Sequence, residues 1–183
     1  MDNQQAKAID IDLAWLAGFI DGEGSFMVVY LGGKRLRKEY RERGIFYIAP
    51  RIVIANTDQP VLTVIQKILN DHGLPHHVSQ NERGVQQDGS VRKDYWDIRV
   101  QGMKRCLKWC KIIIPHLRLK QDQAQAMLRL IELRLNAKNG DLMKNGYSPE
   151  EKALIESLRG RISKPHRLHD QQVSLTSEGT VGP

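Results

Sequence analysis

The sequence predicts an α+β fold, with antiparallel strands in one sheet and helices covering one of its faces. Three observations carry that prediction. Apolar residues recur at helical spacing in four separate stretches. Two pairs of strand-like runs are each joined through a turn-forming polar or glycine segment. These elements interleave as helix, hairpin, helix, hairpin, helix, helix between residues 11 and 135, with no internal repeat and no second copy of the segment at 13 to 25.

The first helix spans Ile11 to Ile20, where Leu13, Leu16, Ala17 and Ile20 recur at three and four, with Asp10 or Asp12 suited to cap its start. It is expected to end in Asp21-Gly22-Glu23-Gly24-Ser25, two glycines releasing the backbone. Phe26 to Leu31 and Ile45 to Ile54 then read as strands of a hairpin. Its tip, residues 34 to 43, holds six basic and two acidic side chains. Asp58 to Leu69 is helical by period, stopped by Gly73 and Pro75. A weak strand from His77 to Val85 and a stronger one from Tyr95 to Val100 flank the turn Gln87-Asp88-Gly89-Ser90. Helices follow at Met103 to Ile113, broken near Pro115, and at Asp122 to Leu135. These elements make residues 8–135 the core. Residues 136–163 read as a loop and helix appendage, opened by the capping box Ser148-Pro149-Glu150-Glu151. Residues 164–183 read as a disordered tail.

A chain of 183 residues suffices for one ordinary domain. With 40% hydrophobic and 27% charged residues and a mean hydropathy of −0.47, it has a soluble globular balance. No apolar stretch approaches a membrane span, and Met1 to Gln5 lacks the order of a secretory signal. A non-secreted protein is expected, in a chloroplast or mitochondrial interior or a bacterial or phage cytoplasm. Cys106 and Cys110 lie four apart on one helix, as packing residues and not as a disulfide scaffold. His72, His76 and His77 surround a turn with no matching cysteine pair, which argues against zinc. The net charge of +7 and pI near 9.5 favour a polyanionic partner.

The chemistry concentrates at the end of the first helix. Ala14, Gly18 and Gly22 recur every four residues, lining one stripe with almost no side chain, so that another helix can approach closely. Directly beyond stands Glu23, between Gly22 and Gly24, a carboxylate with little steric cover.

The run Leu16-Ala17-Gly18-Phe19-Ile20-Asp21-Gly22-Glu23-Gly24-Ser25 resembles the signature of the LAGLIDADG homing endonucleases, and Leu117-Arg118-Leu119-Lys120-Gln121-Asp122-Gln123-Ala124 is similar to that family's later basic segment. The resemblance covers roughly residues 11 to 135. It implies a saddle-shaped sheet lying in the DNA major groove and a site-specific, metal-dependent double-strand endonuclease. It implies that Glu23 binds a divalent metal and that the Gly22 carbonyl is a second ligand. The cofactor implied is magnesium, with manganese able to substitute. Asp21 supports the helix end and dimer interface, Lys120 matches the active-site lysine, and Asn56 takes the position of a water-ordering glutamine. One chain brings one such carboxylate, so a homodimer crossing at Ala14, Gly18 and Gly22, with formal charge 2 × 7 = +14, is expected to share its metals.

On such a sheet, strand alternation turns Tyr47, Ala49, Arg51 and Val53, and Asp97, Arg99 and Gln101, toward the groove, with Arg83 as a further contact. Arginines there suit guanine, and Asp97 suits the cytosine amino group. Lys34, Arg35, Arg37, Lys38, Arg41 and Arg43 suit phosphates. Double-stranded DNA, with a pseudo-palindromic site, is the expected partner. An RNA maturase acting on intron RNA, or a nuclease-inactive DNA-binding protein, is the alternative on the same scaffold.

Overall fold

The computed structural model describes residues 3–31, 38, 46–82, 84, 93–138 and 141–159. Lys34, Arg35, Arg37, Arg41, Arg43 and Arg83 lie outside the described residues, as does the segment 164–183.

The first helix, α1 (Asn3–Glu23), is longer at both ends than its apolar period suggested. Asp10 and Asp12 are interior positions of this helix and do not mark its start. The helix also runs through Gly18 and Gly22. Each glycine costs a helix up to about 1 kcal/mol relative to alanine. Burial of Leu13, Leu16, Ala17 and Ile20 on the opposite side outweighs that. Neither glycine adopts a positive φ. The helix gives way directly to β1 (Gly24–Leu31). Gly24 serves this junction by close approach: a Cβ there would stand 2.7 Å from both the carbonyl oxygen and Cγ2 of Ile20.

β1 pairs antiparallel with β2 (Tyr47–Asn56), from Gly24 opposite Ile54 to Leu31 opposite Tyr47. β2 thus begins and ends two residues later than its apolar run suggested. Asp58 accepts a hydrogen bond from Val61 N at 3.4 Å and caps α2 (Gln59–Asp71), with Pro60 in the first turn. β3 (His77–Asn81) and β4 (Tyr95–Gln101) form the second hairpin, β3 ending four residues before the expected limit. The sheet order is β1-β2-β4-β3. Pro50 is tolerated in an inner strand because β4 stops at Gln101, opposite Arg51, so at Pro50 the ladder continues only with β1.

α3 (Met103–Ile113) ends in a 3₁₀ turn (Ile114–His116), and α4 (Gln121–Asn136) follows. The core lies between the sheet and the helices. Phe26, Val28, Ile52, Ile54, Ile98 and Val100 meet Leu16, Ile20, Ile65, Leu69, Trp109, Ile113, Met127 and Ile131. Each such side chain contributes about 1.5–3 kcal/mol on burial. Cys106 and Cys110 are free thiols in this layer, and burial pushes both up to about 12. Lys108 Nζ donates to Gly73 O at 2.6 Å and Trp109 Nε1 to Pro75 O at 2.8 Å, lashing the turn after α2 to α3.

The core runs on past the composition boundary at residue 136. Leu142 on α5 (Asp141–Asn145), Ile155 on α6 (Pro149–Ser157), Tyr147 and Leu158 are buried in the same cluster. Ser148 and Glu151 form the expected capping box, and Arg134 donates to Glu151 Oε1 at 3.0 Å in a largely buried pair. Val28 N donates to Leu158 O at 3.2 Å, so the end of α6 covers part of the free edge of β1.

Replacing Gly24 with alanine is expected to cost about 2 kcal/mol, the scale of forcing a methyl group into filled space. A lowered urea midpoint with an unchanged m-value checks it.

Candidate active site and nucleic-acid interface

Helix α1 and the turn before α4 grip each other across about a hundred residues of sequence. The N–H of Arg118 donates to Asp21 Oδ2 at 2.7 Å, and that of Lys120 to Asp21 Oδ1 at 2.8 Å. In return, Lys120 Nζ donates to the carbonyls of Ile20 at 2.9 Å, Gly24 at 2.7 Å and Gly22 at 3.3 Å. The Ile20 and Gly22 oxygens are among those a helix C-terminus leaves unpaired, Gly24 opens the next strand, and a cation suits the negative end of the helix dipole. Partial burial alone would raise the Asp21 pKa, but the backbone N–H groups of Arg118, Lys120 and Leu119, with the Lys120 charge, hold it below the ordinary value.

Glu23 closes the helix, exposed, one residue past the Gly22 carbonyl. The arrangement brings together three of the sequence candidates: Glu23, the Gly22 carbonyl and the Lys120 ammonium. Asn56 lies at the same end of the sheet, two residues past the Gly24–Ile54 pair. Its Oδ1 accepts from Asp58 N at 2.8 Å, so this amide first serves the turn into α2. No cluster of three or more metal-ligating side chains exists among the described residues.

Ala14, Gly18 and Gly22 line up on the outer side of α1, exposed. A Cβ built on Gly18 or Gly22 meets nothing within 4 Å. Beside the stripe, Ile11 is 68% and Trp15 44% exposed. Trp15 stacks on Phe19 with ring centroids 5.7 Å apart.

The helix-free sheet face is set by register. One row across it is Met27, Arg51, Gln101; the next is Ser25, Val53, Arg99, His77. The candidates Arg51, Arg99 and Gln101 therefore share this face, with Tyr47 exposed at its far corner. Ala49 has the same parity but is buried, at 6% exposure. Lys38 is exposed in the segment between β1 and β2. Asp97 departs from its expectation as a free acceptor. It is 5% exposed, its two oxygens take Arg99 Nε at 2.6 Å and Nη2 at 2.7 Å, and Oδ2 also takes Asn81 Nδ2 at 2.7 Å. Those bonds raise the Arg99 pKa. Arg51 is held by a neutral amide, its Nε and Nη2 donating to Gln101 Oε1 at 3.0 and 2.6 Å. Burial, then the Arg99 charge, lower its pKa.

The sequence candidates include no residue of β1 on this face and, for the third strand, only Arg83, which lies outside the described residues. Ser25 and Met27 were accessible from alternation with Phe26 and Val28. His77 and Ser79 needed the β3–β4 register.

The LAGLIDADG endonuclease family model matches residues 16–118. The chain belongs to the LAGLIDADG endonuclease family. No curated protein sequence matches it. Among solved structures, it is similar to the homing endonuclease I-CvuI in complex with the I-CreI target in 2 mM Mg, at 21% identity and a TM-score of 0.57 over 85% of this chain and 87% of that one. It is also similar to the archaeal intron-encoded homing endonuclease I-Vdi141I complexed with DNA, at 19% identity and a TM-score of 0.59 over 88% and 90%. A third likeness is I-TnaI, at 19% identity and a TM-score of 0.52 over 80% and 97%. At these identities the likeness establishes the fold: this LAGLIDADG family member has the α+β architecture of homing endonucleases.

Asp21→Asn keeps one acceptor oxygen but turns an amide N–H₂ toward a backbone N–H. It is expected to lower stability by about 1–2 kcal/mol, the value of hydrogen bonds to a charged group, as read by thermal unfolding.

Proposed function

We propose that this protein is a homodimeric, site-specific double-strand DNA endonuclease that uses a divalent metal. The observation that carries the reading is the position of Glu23. It is an exposed carboxylate at the end of a helix whose small-residue stripe is open, beside a lysine bound to the neighbouring carbonyls. Two such helices meeting along Ala14, Gly18 and Gly22 would bring Glu23 and its twin together through an isologous contact.

The donors available, a carboxylate and a backbone carbonyl, are hard oxygens that suit magnesium with retained waters. Glu23 and the Gly22 carbonyl would hold it, completed by the second copy. Bound there, it supplies an activated water and neutralises charge at the scissile phosphate. Lys120 contributes a positive charge to the leaving oxygen. Its three N–H donors are committed to three carbonyls, and the longest contact, to Gly22 O at 3.3 Å, is the easiest to exchange for a phosphate oxygen. Asn56 would order water with its Nδ2 and the remaining lone pair of its oxygen.

The helix-free face takes the major groove. Asp97 and Gln101 each engage the Nε/Nη2 edge of an arginine, which leaves the Nη1/Nη2 edge of Arg99 and Arg51 for guanine O6 and N7. Asp97 therefore acts by holding Arg99, and a cytosine contact is not its role.

Glu23→Gln is expected to reduce plasmid cleavage in magnesium by about 10²–10³-fold or more, the scale of losing one electrostatic stabiliser, while duplex binding in calcium persists. Cleavage by this variant at the parental rate would remove Glu23 from the chemistry. Gly18→Leu, whose side chain starts in open space, is expected to leave a folded monomer by circular dichroism and sedimentation, without double-strand cleavage. A Gly18→Leu protein that remains a dimer would refute the crossing.

A further inference from the structure

The second hairpin leaves a notch at the β3 side of the sheet. β3 begins at His77, opposite Arg99, so the last two residues of β4, Val100 and Gln101, extend past it. The space is bounded by Pro75 and His76 before β3 and by Arg105 on the first turn of α3, enclosing about 460 Å³. Its lining residues include two arginines, two histidines and a glutamine, and no acidic residue among the described residues. The nearby Asp97 is already committed to Arg99 and Asn81. The His76 ring is fixed in place: Leu74 O can only accept, so Nδ1 carries the hydrogen of the 2.9 Å bond between them.

We infer that this notch seats a phosphodiester of the bound DNA, an assignment that rests on the functional reading above. The chemistry is that of a phosphate site. The planar Arg105 guanidinium matches phosphate oxygens, with the two imidazoles beside it as further donors, while Arg99 keeps its outer edge for a base. The position selects a backbone phosphate over a free one. His77, Arg99 and Gln101 belong both to the notch and to the helix-free face, whereas Arg105 and His76 stand beyond the sheet. A duplex lying on that face, with base edges over Arg99, carries one strand outward across the notch. His76 and Arg105 thereby supply affinity and register without reading sequence.

The test measures equilibrium binding of the 183-residue chain to two duplexes of unrelated random sequence in calcium, across about 50–200 mM salt. Arg105→Gln is compared with Lys111→Gln, which removes the same charge from an exposed site on the same helix but outside the notch. Arg105→Gln is expected to weaken both duplexes several-fold by the same factor and to lower the salt slope by about 1 per protomer. Lys111→Gln is expected to leave the slope unchanged. In parallel, inorganic phosphate is titrated into each protein while the His76 and His77 imidazole signals are followed by NMR. Phosphate-dependent shifts in the parent that vanish in Arg105→Gln support the site even where no duplex binds, in which case the DNA reading alone has failed. Shifts with an unaltered duplex salt slope overturn the assignment to DNA in favour of a free-phosphate site. Equal slopes for the two variants without shifts overturn the notch altogether.

Discussion

The fold's working end depends on the reciprocal grip between Asp21 and Lys120. Asp21 satisfies two backbone N–H groups of the turn that precedes α4, and Lys120 satisfies three carbonyls at and just beyond the end of α1. Each partner supplies what the other's backbone lacks, since a helix end leaves carbonyls orphaned and a turn leaves N–H groups orphaned. The grip fixes where α1 stops, and thereby where Glu23 stands and where β1 starts. Gly24 then becomes obligatory, because the chain must fold back against the Ile20 carbonyl with no room for a Cβ. Register follows, since the β1–β2 ladder begins at that same glycine.

The same geometry explains why so much of α1 stays uncovered in one chain. Its inner side is spent on the core through Leu13, Leu16 and Ile20, while its outer side carries glycines that cost helix stability and two large apolar groups left in water. A solitary helix gains nothing from Gly18 and Gly22 at positions where a Cβ would meet nothing within 4 Å. Under the proposed reading, the gain comes when two backbones close on each other and each protomer acquires the other's Glu23.

Much of this was legible in the sequence because it is written in periodicity. Leu13, Leu16, Ala17 and Ile20 marked the buried face of α1, and Ile52, Ile54, Ile98 and Val100 the buried face of the sheet. Ser148 and Glu151 announced their capping box. What was misread was decided by contacts between distant segments. Gly22 and Gly24 looked like a backbone release, because a glycine required by close approach and one required by a turn are identical in sequence. The dual role of Lys120, bonded to the helix end as well as near Glu23, depends on the approach of residues 118–120 to α1. Asp97 looked like an exposed acid on a strand, whereas Asn81, from the facing strand, helps to bury it. The C-terminal segment was set apart by a Gly/Asn/Lys loop, yet Leu142, Ile155 and Leu158 join the main cluster.

The two arginines on the helix-free face have unequal partners and therefore unequal structural constraints. Arg99 is hydrogen-bonded to a buried carboxylate, whereas Arg51 is hydrogen-bonded to a neutral amide and feels the Asp97 charge only through space. Changing Arg99 to a neutral residue would strand the Asp97 charge in a nearly closed environment, a penalty of several kcal/mol. The same change at Arg51 leaves Gln101, an exposed-face amide that water can satisfy. Position 99 is thus constrained by folding, while position 51 is constrained by folding much less. If the face reads bases as proposed, specificity can drift through residue 51 at little cost to the fold. It can drift through residue 99 only if Asp97 changes with it.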